Sequence, residues 1–227
     1  MIFVYGPEDQ PLPIPCIPDF ENGRTNVGFI DTKRYPERIT EIHEAKKFPE
    51  LRNLIRTLSS RKSFFRTLEC EVQYSPSDHS AFRKRVVSWL DIRFEIAVSN
   101  LSDQLYAELA MDCRRSCSAF SLGEFDGMAV HFIVCPTTYH ELRTSGYRLR
   151  IWSLGYGDSD KQANRNWRRA FSRVSRLLLV ASGLNTDLLA KHLTFLGLNE
   201  GTQKGWTDAD HELGREIGPD PPVHSPE

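Results

Sequence analysis

The sequence predicts an α+β fold: a mainly antiparallel sheet from two β-hairpins, helices packed on it, and an extended Pro-rich N-terminal arm. Three observations predict it. Two pairs of strand-like runs lie at 64–98 and 128–154. A helical pattern follows each pair, and hairpins separated by helices favour an antiparallel sheet with helices on one face. Prolines 7, 11, 13, 15 and 18 exclude a helix or a central strand from the N-terminal stretch.

Residues 1–5 are apolar and suit a short strand. Leu12, Ile14 and Ile17 alternate with prolines, so residues 1–25 read as an arm lying on the core. Val27 to Asp31 reads as a short strand. Pro36 suits the first turn of a helix to about Lys47, and Pro49 opens another. Leu51, Leu54, Ile55 and Leu58 recur at the spacing of one buried helical face.

The period then changes to two. Phe64, Leu68, Cys70, Val72 and Tyr74 alternate with Thr67, Glu69, Glu71 and Gln73. Ser75-Pro76-Ser77-Asp78 is turn chemistry. Val86, Leu90, Ile92, Phe94, Ile96 and Val98 then share one face, with Arg85, Asp91, Arg93 and Glu95 on the other. The mixed charges predict a solvated outer face. Ser102 is placed to cap a helix to about Ser116.

Met128 to Cys135 reads as a central strand ended by Pro136, and Tyr147 to Leu154 as its partner. Gly155 to Ser159 reads as a loop, with Asp158 or Ser159 capping a helix over roughly 160–182. Gly183 suits its end, and a further helix runs from Thr186 to Leu196. The order strand, strand, helix occurs twice, each time with a tryptophan in the second strand (Trp89, Trp152). Residues 1–198 are expected to form one domain. Residues 199–227 read as a flexible acidic tail, with seven acids against Lys204 and Arg215 and one turn of helix at Thr207–Glu212.

A net charge of −1 gives the molecule as a whole no attraction for polyanions. No apolar run approaches the roughly twenty residues of a membrane span, and Met1 to Gln10 has no signal-peptide pattern. Five cysteines (Cys16, Cys70, Cys113, Cys117, Cys135), an odd number without an export signal, point to reduced thiols in the cytoplasm.

One segment departs from the average. Lys161, Arg165, Arg168, Arg169, Arg173 and Arg176 recur at spacings of three and four. At 100° per residue they fall within about 140° of arc. Trp167, Phe171, Val174 and Leu178 take the opposite side. From 143 to 176 nine basic residues, Arg143, Arg148 and Arg150 among them, face only Asp158 and Asp160. Such a stripe suits phosphates or carboxylates, and arginine favours bidentate contact with either. The acidic tail could itself fold back over the stripe.

Other patterns fail on chemistry or geometry. Cys113, Cys117, His131 and Cys135 have zinc-like spacing. If 128–135 is a strand, however, His131 and Cys135 stand about 13 Å apart, too far for one tetrahedral ion. Gly155-Tyr156-Gly157-Asp158-Ser159 lacks the Lys of a phosphate loop and the third glycine of a dinucleotide site. There is no Gly-x-Ser-x-Gly elbow. Ser77-Asp78-His79-Ser80 lies in a hairpin turn, and Asp91 with Glu95 lacks the lysine of a nuclease. His131 with His140 or Glu141 would do acid–base work only if they converged. No cofactor or metal site is therefore expected.

The expected function is that of a non-enzymatic binding or accessory protein, akin to inhibitors and immunity proteins. Its contact surface is the basic helix and its partner another protein. Nucleic acid on the same helix is the alternative, and an enzyme with a dispersed active site the second. No membrane partner is expected, and the oligomeric state stays open.

Overall fold

The computed structural model describes residues 2–5, 12–14, 28–60, 63–118, 127–140 and 143–195; at 2–5, 12–14, 98, 114–118 and 179–195 it describes the backbone alone. The chain is an α+β fold. Its strands are β1 (Ile2–Tyr5), β2 (Leu12–Ile14), β3 (Phe65–Pro76), β4 (Lys84–Phe94), β5 (Met128–Tyr139) and β6 (Thr144–Gly157). Its α-helices are α1 (His43–Lys47), α2 (Pro49–Leu58), α3 (Asp103–Ser118) and α4 (Asp160–Phe195). The sheet order is β1-β5-β6-β4-β3, with β2 also on β5. The four long strands are antiparallel, and β1 and β2 run parallel to β5 along its outer edge.

Each hairpin contributes its second strand to the centre, so β4 meets β6 and Trp89 lies opposite Trp152. One face of the sheet carries the helices. Val86, Leu90, Ile92, Val130, Phe132, Val134, Leu149 and Ile151 meet Leu51, Ile55, Leu105, Leu109, Trp167 and Phe171 there in one core. Two smaller apolar clusters lie off this core: Val87, Leu154 and Tyr156, and Leu68 with Tyr139.

Several boundaries differ from the sequence reading. Gly28 to Ile30 has no regular structure. Asp31 instead ties a turn, accepting from Lys33 N and Arg34 N. The helix after Pro36 is a 3-10 turn (Pro36–Glu41), and α1 begins separately at His43. In β3 the register shifts between Thr67 and Glu69, so Phe65 enters the main core and Leu68 turns to Tyr139. β4 ends at Phe94, and Ala97–Leu101 is a 3-10 turn. Ser102 Oγ does accept from Leu105 N at the start of α3.

Pro136 does not end β5. It falls in the gap between β1, which pairs as far as Val134, and β2, which starts at Thr137. Its missing N–H therefore costs no ladder bond on that edge. Gly155 and Gly157 belong to β6, where a Cβ would lie 2.1 Å from Trp167 N and 2.6 Å from Ala163 N. They are glycine because α4 crosses the strand at backbone distance. Gly183 does not end α4, which continues to Phe195. One glycine costs a helix only about 1 kcal/mol. The tail at 199–227, with the helical turn expected in it, lies outside the described residues, as do the prolines of the arm other than Pro13.

Candidate functional site: the basic face of the last helix

Ser159 starts α4, its Oγ accepting from Gln162 N while Gln162 Oε1 reaches back to Asp158 N. The apolar face is then pinned to the sheet. Trp167 is fully buried and donates from Nε1 to Ser88 Oγ at 2.8 Å. Asn166 Nδ2 donates to the Tyr156 carbonyl at 2.8 Å. Phe171 stacks on Trp167, and Phe48 of the α1–α2 junction meets it edge-on. These contacts fix the rotation of α4 about its axis.

The rotation leaves the basic stripe outward. Lys161, Arg165, Arg168, Arg169 and Arg176 are exposed, and Arg173 is half-buried. All six line a shallow groove of about 680 Å³ that is widely open to solvent and whose described walls all belong to α4. Asn164 and Ser172 are its only uncharged described walls. The stripe runs fifteen residues, about 22 Å along the helix. Arg168 Nη1 pairs with Glu50 Oε1 at 3.2 Å, both sides partly in solvent. Lys161, Arg165, Arg173 and Arg176 make no ion pair with any described residue. Arg173 Nη1 and Asn164 Oδ1 are shut from solvent with no hydrogen-bond partner. The groove therefore holds concentrated, largely uncompensated positive charge, with one donor and one acceptor to spare.

Arg143, Arg148 and Arg150 do not add to it. Arg143 is exposed in the β5–β6 turn at φ 48°. Arg148 and Arg150 lie on the sheet face that the helices leave, and there Asp91 holds both. Arg148 Nε donates to Asp91 Oδ2 at 2.7 Å, and Arg150 Nε to Oδ1 at 2.8 Å. Glu69 joins Arg150 at 3.4 Å. Asp91 and Arg148 are fully buried while Arg150 and Glu69 stay partly exposed, so the face expected to be solvated instead holds an ion network with a buried centre, between two apolar clusters. Trp89 and Trp152 stack beside it at 6.3 Å, with Arg150 over the Trp89 ring. Sequence reasoning missed the network, although the paired tryptophans signal it. Setting Trp89 opposite Trp152 puts Asp91 opposite Arg150.

The remaining candidates separate. Cys113 lies in the helix-side core, while His131 and Cys135 have the parity of the opposite face of β5. Among the described residues no group of three or more His, Cys, Asp or Glu is placed to hold a metal. Burial lowers the pKa of His131. His131 lies nine residues, about 30 Å of strand, from exposed His140. Ser77, Asp78 and His79 serve the turn. Asp78 pairs with Arg85 at 2.6 Å, and His79 Nδ1 accepts from Ala81 N. Glu95 sits in a second ion cluster with Arg66 and Lys33. Burial pushes its carboxyl up, but Arg66 and Lys33 together outweigh this and hold it at about 2.

The chain matches no family model, no curated protein and no solved structure. Among the described residues no helix is long and apolar enough to cross a membrane.

Proposed function

We propose that this chain is a non-enzymatic binding protein that holds an acidic segment of a protein partner in the α4 groove. One observation carries the reading: six cations line one groove, and four of them, Lys161, Arg165, Arg173 and Arg176, make no ion pair with any described residue. Cations recurring about once per helical turn match acidic side chains at the same pitch on a docked helix. Among the described residues no aromatic ring lines the groove, so they offer no stacking platform of the kind with which single-stranded nucleic acid is usually held. The arginines would still bind duplex phosphates, and nucleic acid is the second reading for that reason.

Fluorescence anisotropy tests both with labelled poly-glutamate and labelled single- and double-stranded oligonucleotides. The full chain is compared with R165E/R169E/R173E, whose fold is checked by circular dichroism. Poly-glutamate is expected to bind, to weaken as salt rises, and to lose about 100-fold or more in affinity in the variant. Oligonucleotide binding tighter than poly-glutamate, and lost in the same variant, would replace the protein partner by nucleic acid. No binding of either probe at low salt, by the full chain or by a 1–198 truncation free of the acidic tail, would remove the groove as a polyanion site.

A further inference from the structure

Arg93 stands two residues beyond Asp91 on β4, on the face away from α4. The residue is 7% exposed, and its Nε and Nη1 are sealed from solvent with no hydrogen-bond partner. A guanidinium does not lose its proton in a protein, so burial cannot be relieved by neutralisation. The described acids around it are already engaged. Asp91 gives both oxygens to Arg148 and Arg150. Glu95 gives both to Arg66 and also meets Lys33. Asp31 gives one oxygen to Arg66 and the other to backbone N–H groups of its own turn.

The neighbouring hydroxyls are committed too. Tyr139 donates to the Tyr147 carbonyl, and Tyr106 to Asn100 Oδ1. The Tyr139 ring lies 5.6 Å from the Arg93 guanidinium carbon. A ring face offsets part of the charge but accepts nothing from in-plane N–H groups. A buried, always-charged group with free donors and no described acid left to turn towards it lacks one component: an acceptor carrying negative charge.

We propose that Arg93 anchors a second binding site, at the end of β4 beside Tyr139, that takes a single oxyanionic group, a carboxylate or a phosphate. The site is independent of the α4 groove, which lies on the opposite side of the sheet. Paired oxygens suit the guanidinium fork, and a spherical anion does not supply them.

Inorganic phosphate is the probe, with chloride at matched ionic strength as the control. The parent is the full chain carrying R165E/R169E/R173E, so that phosphate in the groove does not contribute. Phosphate is expected to raise the melting temperature of this parent by about 3 °C or more over chloride. Adding R93M is expected to abolish that difference; the comparison also subtracts the general effect of phosphate on folded proteins. In chloride, R93M should melt no lower than the parent, because methionine fills the space without burying an unpaired charge. A rise that survives R93M, or no rise in the parent, overturns the site. Should R93M not fold, the Arg93 Nε–H resonance of the parent decides. It shifts with phosphate and not with chloride if the site exists, and an unmoved resonance overturns it.

Discussion

At the scale of single residues, the weight of this fold rests on charges that the helices do not cover. Asp91 is the hinge of that arrangement. Its two oxygens take three donors from Arg148 and Arg150, and Arg148 has no solvent-exposed side chain left to escape with. Removing one member of a buried pair costs more than the pair contributes, because the survivor remains charged and dry. Asp91→Ala is therefore expected to lose about 3–5 kcal/mol, read from urea unfolding at constant slope. Adding Arg148→Met should recover part of the loss by removing the most buried stranded charge. A single-variant loss under about 1 kcal/mol would mean that water reaches the guanidinium groups and that the network is a surface one.

The elements show how far periodicity alone carries. Helix α2 was legible because Leu51, Leu54, Ile55 and Leu58 repeat at helical spacing and all four are buried. The hairpins were legible because apolar and charged residues alternate over Leu90–Phe94 in β4 and Tyr147–Ile151 in β6. Boundaries failed where tertiary contact overrode local chemistry. Gly155 and Gly157 look like a loop until Trp167 and Ala163 are seen against them, and Pro136 looks like a stop until β1 and β2 are seen to divide around it. The basic stripe of α4 was readable to the residue, since a helix converts spacing directly into a face. The Asp91 network was not, since a strand's outer face is solvated or sealed according to what lies across the sheet. Gly183 makes the same point testable. It lies inside α4, where a glycine costs about 0.5–1 kcal/mol relative to alanine. Gly183→Ala is expected to raise stability by up to that amount and to increase helical ellipticity slightly. A loss of stability of about 1 kcal/mol or more would instead mark a left-handed cap and two separate helices.

At the scale of the whole molecule, charge is sorted rather than scarce. The chain is nearly neutral, at −1, yet one helix face holds six cations in a groove while the arginines of β6 are neutralised by acids of β3 and β4. The sheet separates these two populations, which is why total charge concealed both. The same sheet carries a liability that the N-terminal arm answers. β5 is a twelve-residue, largely apolar strand, and its outer edge pairs with nothing but β1 and β2 among the described residues. An uncovered edge of that length is a template for another chain, and native proteins cover, shorten or charge such edges. His131 is the sole residue between Met128 and Tyr139 with a titratable group that charges near neutral pH, and burial disfavours its charged form. Charge therefore does not guard this edge. Deleting residues 1–14 should leave the helix-side core intact, since its described members all lie between Ile39 and Leu178. The truncated chain is thus expected to keep its far-ultraviolet circular dichroism and to self-associate in a concentration-dependent way by light scattering. A truncated chain that stays as monodisperse as the full one would show that the β5 edge is guarded by something other than β1 and β2. A chain that unfolds outright would show that the parallel ladder holds the sheet together rather than shielding it.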